Sequence, residues 1–214
     1  MPENLNNEYP GLFIAFEGTD FTGKSTISKA VKDRLASLGY KVHWTREPGG
    51  SDLAEKIRSV IINEYMDSLT EAFLFAAARN DHYTKTILPK LKENVIVISD
   101  RFFGSSYVYK GVVSNQLEKV KKIHELIGNP TPDHVFLVTT SSCIKNERMK
   151  ARSDNNRFDS FAMNNILKMN KGYLEYISET PDNTEIANNS DIESAVSLTM
   201  YHIEKLIEKK GIKK

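Results

Sequence analysis

Ten residues, "EGTDFTGKST" from Glu17 to Thr26, carry the first chemistry that can be read from this chain. Gly18, Gly23, Lys24 and Ser25 fit the pattern GxxxxGK[ST], in which glycines let backbone N–H groups curl around phosphate oxygens. Thr19, Asp20, Phe21, Thr22 and Thr26 complete a contiguous cradle. Lys24 reaches the outer phosphates, the Ser25 hydroxyl can bind magnesium, and the start of the next helix adds positive potential. The loop follows the apolar run "LFIAF" and precedes the amphipathic "ISKAVKDRLASLGY", the strand–loop–helix context this motif needs. It implies a bound phosphate and leaves the reaction open, because GTPases, motor ATPases and small-molecule kinases share such loops.

Three further clusters could serve the same ligand, two at phosphate and one at a base. In "TREPGGSDLAEKIRSVI", Arg46 stands at the end of a second apolar run, where open α/β sheets bind ligands and a guanidinium can grip phosphate bidentately. Pro48, Gly49 and Gly50 make a rigid turn, and Ser51 or Asp52 can cap the helix after it. In "SDRFFGSSYVYKG", Asp100 is placed to meet magnesium or its water shell, with Arg101 as a second phosphate clamp. Taken alone, an Asp-Arg pair is a surface ion pair of little worth. Two arginines and a lysine at successive strand ends, however, would repel one another without an anion between them. In "LTEAFLFAAARNDHYTKTILPKL", Phe75 and Arg79 share one helix face at i and i+4, a ring and a planar donor suited to a nucleobase. Phe73 and Leu74 are read as core.

The elements that must position these residues alternate. "LFIAF", "KVHWT", "VIVIS" and "HVFLVTT", with a weaker "NTEIAN" at 183–188, read as strands, separated by helical segments near 24–38, 52–63, 68–93, 114–127, 141–152, 160–179 and 190–210. In the last of these, Ile192, Val196, Ile203, Leu206 and Ile207 form one apolar stripe. The expected fold is a three-layer α/β domain on a parallel sheet buried on both faces.

Composition narrows the class further. A chain of 214 residues that is 40% hydrophobic can bury one sizeable core, so a single domain is expected. With 29 basic and 28 acidic residues, no global field draws it to nucleic acid or an anionic membrane. Cys143 is the only cysteine, which excludes an internal disulfide framework and fits a reducing compartment. "MPENLNNEYP" lacks the pattern of a signal peptide, and no apolar run approaches the roughly 18 residues of a membrane span. The expectation is a cytoplasmic protein with a loose tail at 1–10 and a frayed basic end, "EKKGIKK". His43, His82, His124, His134 and His202 share no metal-ligand spacing. Trp44 is assigned to packing and Cys143 to a passive role.

In order and spacing, "FEGTDFTGKST", "TREPGG", "LFAAARNDH" and "DRFFGSSYVYKG" resemble thymidylate kinases of the bacterial type, over about residues 11–210. The resemblance implies a P-loop NTPase fold with a five-stranded parallel sheet, a short mobile lid at about 148–160, and usually a homodimer. It implies transfer of the γ-phosphoryl group of ATP to dTMP with magnesium. Lys24 would hold the moving phosphate, and Ser25, Asp100 and Glu47 would lie at the metal. Asp20, Arg46, Glu47 and Arg101 would surround the acceptor phosphate. Phe75 would stack on thymine, Arg79 would donate to a base carbonyl, Ser105 and Ser106 would meet the base edge, and Tyr109 would pack under the deoxyribose. Donor-base recognition near Ala187 and Asn188 would be largely through backbone.

Phe21 stands where one subgroup of that family carries a catalytic arginine. The bacterial subgroup supplies the cation from the lid, where "ERMKARSDNNRFDS" offers Arg157 for the transition state, Arg152 as the alternative, and Arg148 for adenine or the donor phosphates. Two positions depart from the family pattern: Gly104 replaces a side chain, and Lys110 stands where glutamine is frequent. Two other readings stay open, a kinase of a broader or dUMP-tolerant set of deoxynucleotides and a non-catalytic P-loop regulator.

Overall fold

The computed structural model describes residues 9–128, 130–150 and 164–214. Five strands, β1 (Leu12–Glu17), β2 (Val42–Arg46), β3 (Ile96–Asp100), β4 (His134–Thr139) and β5 (Asn183–Ala187), form one sheet in the order β2-β3-β1-β4-β5. All pairings are parallel, as the apolar β-branched runs predict. Every residue of β1 is buried, and its alternation supplies both faces of the sheet. Leu12, Ile14 and Phe16 face Ile27, Val31 and Leu35 of α1 (Lys24–Ser37), together with the helix that follows β5. Phe13 and Ala15 face the opposite cluster with Tyr107, Val108 and Tyr173. Each large apolar side chain so buried contributes about 1.5–3 kcal/mol of transfer free energy.

The remaining helices are α2 (Asp52–Asn63), α3 (Ser68–His82), α4 (Leu88–Lys92), α5 (Phe103–Ser106), α6 (Leu117–Leu126), α7 (Ser142–Lys150), α8 (Ile166–Glu179) and α9 (Ile192–Lys210). Ser51 caps α2, accepting from Ala54 N at 3.4 Å, and Asp191 caps α9, accepting from Ser194 N at 2.7 Å.

Four expectations need correction. The single helix read over 68–93 is interrupted by a π-helical turn at Tyr83–Ile87. Pro89, just beyond it, has no N–H for the carbonyl four residues back, so the regular ladder is interrupted there. The segment after β3, assigned no element above, is helical: α5 continues as a second π-helical turn, Tyr107–Val112. Its glycine, serines and aromatics are weak helix formers, so packing rather than propensity holds it. Phe73 and Ile192 were read as apolar-face residues, yet they are 53% and 40% exposed. The basic end is tied down: Gly211 takes φ 68° to close α9, Ile212 N donates to Ile207 O at 3.1 Å, and Ile212 is buried.

Strand register makes the site. Phe16 pairs with Asp100, and Asp100 pairs with Arg46, so the carboxyl ends of β1, β3 and β2 lie side by side. The three sequence clusters that could meet phosphate therefore open into one crevice.

Candidate active site

On the β1 side of the crevice, Lys24 is buried and donates from Nζ to Thr19 O at 3.2 Å, with Asp20 Oδ1 at 3.6 Å. Burial lowers its pKa, and the neighbouring Arg101 charge adds to that. Ser25 Oγ donates to Asp100 Oδ2. Asp100 Oδ1 is buried with no hydrogen-bond partner among the described residues. A serine hydroxyl beside an unsatisfied carboxylate oxygen is the donor set of a hard cation, so these two residues fit magnesium. Two non-glycine residues of the site adopt left-handed backbone, Phe21 at φ 66° and Arg101 at φ 73°, a conformation retained where surrounding structure enforces it.

Arg101 is the hub. Its guanidinium donates to Asp20 Oδ1, to Gly18 O at 3.1 Å, Ser105 Oγ at 2.9 Å and Tyr173 OH at 3.3 Å. Asp20 also accepts from Tyr109 OH at 2.7 Å. Burial alone would raise the Asp20 pKa, but the charges of Arg101 and Lys24 and its two hydrogen bonds hold it well below the usual carboxylate range. The expected repulsion among cations is thus met partly by the protein itself, because Arg46 also has a carboxylate partner, Glu55, at 3.0 Å.

The base side is built on α3. Phe75 is half-buried and Arg79 is 3% exposed. Arg79 donates from Nε to Glu47 at 2.7 Å and from Nη2 to Phe102 O at 3.1 Å and Ser106 Oγ at 3.0 Å. Nη1 takes no part in these bonds. Glu47, expected at the metal and phosphates, instead has both carboxylate oxygens engaged, one by Arg79 and the other by His82 Nδ1 at 3.2 Å. A carboxylate only accepts, so His82 Nδ1 carries a proton, while Nε2 lies 2.7 Å from Thr45 Oγ1. Ser105 is likewise turned from the expected base edge: its hydroxyl donates to Glu17 Oε2 at 2.7 Å. Ser106 reaches the base side through Arg79. Tyr109 is buried, with the Arg101 guanidinium 5.4 Å from its ring centroid.

Several residues of this constellation carry no motif. Glu17 is fully buried and accepts from Phe102 N at 2.8 Å and Ser105 N at 3.1 Å. Burial raises its pKa despite those bonds. Gly104, the departure noted above, fits because a Cβ there would lie 2.6 Å from Tyr176 Cε1 and 2.9 Å from Glu17 Cδ. Lys110 forms a buried ion pair with Glu71, and its ammonium sits 5.6 Å from the Phe75 ring centroid. Glu71, Phe75 and Arg79 recur every four residues, so one stripe of α3 carries a carboxylate, a ring and a guanidinium. That spacing was the available signal for Glu71.

Arg148 Nη1 donates to Phe21 O at 3.2 Å and Thr22 O at 3.0 Å. The Asn188 side chain, rather than backbone alone, reaches the loop and donates to Thr22 O at 2.8 Å. Arg152 and Arg157 lie outside the described residues. Among the described residues no helix is long and apolar enough to cross a membrane.

Comparison with known proteins agrees with this geometry. The family model described as thymidylate kinase matches residues 16–198. The chain is similar to thymidylate kinase of Mycoplasma capricolum, with 40% identity over 92% of this chain and 97% of that one. Against thymidylate kinase of Bacillus velezensis the identity is 38%, over 80% and 84% of the two chains. A crystal structure of thymidylate kinase from Ehrlichia chaffeensis superposes with a TM-score of 0.73 at 26% identity, covering 90% of this chain and 98% of that one.

Proposed function

The chain belongs to the thymidylate kinase family, and from that premise we propose that it transfers the γ-phosphoryl group of ATP to dTMP, yielding ADP and dTDP. The observation that carries the reading is the convergence, at adjacent strand ends, of the Lys24 cradle with the Arg101–Asp20 pair and the Phe75–Arg79 face. An acceptor phosphate oxygen attacks the γ-phosphorus as the bond to the β–γ bridging oxygen breaks. Lys24 stabilises charge on the moving group. Asp20, held ionised, fixes Arg101 toward the acceptor phosphate, and Arg46 assists. Phe75 stacks on the base and Arg79 donates to its carbonyl, oriented by Glu47 and Ser106; Tyr109 crowds the 2′ position of the sugar.

Magnesium would be held by Ser25 and Asp100; when bound it neutralises charge on phosphate oxygens. Arg157, with Arg152 as the alternative, supplies the remaining cation, and Arg148 lies with the donor phosphates, a reading supported by its bonds to the loop carbonyls. Residues 11–210 form the kinase domain, with a basic end at 211–214, and the enzyme works in the cytoplasm; the tail expected at 1–10 falls largely outside the described residues. A homodimer is supported by the exposed Leu53, Val60 and Phe73 on the adjoining helices α2 and α3. Light scattering at micromolar concentration should give twice the chain mass; a monomer would refute that part.

The decisive assay couples ADP release to ATP with dTMP, dUMP, dCMP, GMP or AMP. Turnover is expected with dTMP and, to a lesser degree, dUMP, because one methyl group discriminates only about 10- to 200-fold. Folded protein inactive on dTMP would refute the reading. Arg157→Ala, or failing that Arg152→Ala, should lower kcat at least about tenfold.

A further inference from the structure

The helix α7 brings a second lysine onto the phosphate loop. Lys145 Nζ donates to Thr19 Oγ1 at 2.6 Å, while Lys24 Nζ donates to the carbonyl of the same residue at 3.2 Å. Thr19 is buried, so two ammonium groups meet at one enclosed loop residue that is 126 positions away from Lys145 in sequence. One turn further along α7, Arg148 holds the carbonyls of Phe21 and Thr22. The face of α7 that meets the loop thus carries two cations, one on a side-chain hydroxyl and one on two backbone carbonyls.

An ammonium has three hydrogens, and the bond to Thr19 uses one. The charged groups facing Lys145 are Asp20, Lys24 and Arg101, from the loop, from α1 and from the residue after β3. Of these groups that act on the Lys145 ammonium, one is a carboxylate and two are cations, so its position is one that a polyphosphate would stabilise. Burial, reinforced by Lys24 and Arg101 and opposed by Asp20, brings the Lys145 pKa down to about 8.

We propose that Lys145 is a further phosphate-binding residue of the donor site, its ammonium passing from the Thr19 hydroxyl to the phosphate chain of ATP and supplying, from α7, a fixed cation beside a loop whose Phe21 has none. This rests on the reading of the chain as an ATP-dependent kinase. It differs from the lid assignment because Lys145 belongs to a regular helix already docked on the loop.

The test is steady-state kinetics of full-length Lys145→Ala, Lys145→Gln and Lys145→Arg, with calorimetric titration of ATP in the absence of acceptor. Lys145→Ala and Lys145→Gln should each lower kcat/KM for ATP about tenfold while changing KM for dTMP less than about twofold, and Lys145→Arg should keep most of the activity. Glutamine can keep the bond to Thr19 without the charge, so a Lys145→Gln enzyme with wild-type kinetics would overturn the proposal and leave Lys145 as a brace. A shift confined to dTMP would overturn it too. In the free enzyme the useful, charged form is lost as pH rises through about 8. Wild-type kcat/KM for ATP should therefore fall over that interval more steeply than that of Lys145→Gln, in which only the other groups titrate. If wild-type protein failed to turn over dTMP, the activity reading would fall, while weaker ATP binding by Lys145→Gln in the calorimeter would still uphold this one.

Discussion

Between Gly18 and Thr26 the groups that meet phosphate are neighbours in sequence, whereas those around Phe75 come from three separate segments: Glu47; Glu71, Arg79 and His82; and Ser106 with Lys110. The two regions also treat charge differently. On the loop, burial works against the charge of Lys24 and lowers its pKa, and beside it Asp100 keeps an oxygen with no hydrogen-bond partner among the described residues. Around α3 the buried charges are paired, Glu47 with Arg79 and His82, and Glu71 with Lys110. The loop holds its cation in a state that a bound anion would relax. The base side is closed on itself before any ligand arrives, so its recognition groups are preorganised.

The largest effect that separates the two regions is on stability. Glu47→Ala leaves Arg79 and His82 buried without their shared carboxylate, and removing one partner of a buried pair costs about 3–5 kcal/mol. Chemical denaturation should show that loss, with a raised KM for dTMP as Arg79 loses its alignment. Lys24→Met removes a charge that folding disfavours. It should lower kcat at least about a hundredfold yet leave the unfolding midpoint unchanged or higher. Equal losses of stability in the two variants would erase the distinction.

The same contrast decides what could be read from sequence. The phosphate loop was legible because its chemistry is contiguous and its glycine and lysine spacing is fixed by the shape of a phosphate. The strands were legible because both faces of β1 are buried, so apolar residues run without interruption. Phe75 and Arg79 were legible as an i, i+4 pair. Glu47 was expected at the metal and phosphates, and its bonds here to Arg79 and His82, 32 and 35 residues later, are ones that nothing in "REPGG" reveals. The bond from Ser105, expected at the base edge, to Glu17 was hidden for the same reason, because Glu17 is 88 residues upstream. The Glu71–Lys110 pair spans 39 residues; the spacing on α3 marks Glu71, but a lone lysine has no local mark that distinguishes a buried pair from a solvated one. The π-helical turn at Tyr83–Ile87 escaped because apolar spacing reports a helix without reporting its pitch, and the one at Tyr107–Val112 because its residues are weak helix formers.

Gly104 gives a smaller and sharper test, because the two regions touch there. Its neighbours are Tyr176, on the α8 side, and Glu17, the last residue of β1 and the root of the phosphate loop. Alanine would ordinarily gain about 0.5–1 kcal/mol over glycine inside a helix. Here the added carbon would stand 2.6 Å from Tyr176 Cε1 and 2.9 Å from Glu17 Cδ, so one of them must move. Overpacking of this kind costs about 1–3 kcal/mol, and Gly104→Ala should be destabilised by that order despite the helical gain. Which neighbour yields is readable from kinetics. If the Tyr176 ring gives way, stability falls while kcat/KM for ATP holds, and Tyr176→Leu in the Gly104→Ala background restores much of the loss through a favourable coupling in the double-mutant cycle. If Glu17 gives way, its bonds to Phe102 N and Ser105 N loosen, the loop it anchors shifts, and KM for ATP rises with the loss of stability. Tyr176 is the expected one to move, because Glu17 is held by two backbone donors and a hydroxyl, whereas a ring can rotate and tilt. A Gly104→Ala protein within about 0.5 kcal/mol of wild type would mean that the two regions are not in contact through this residue.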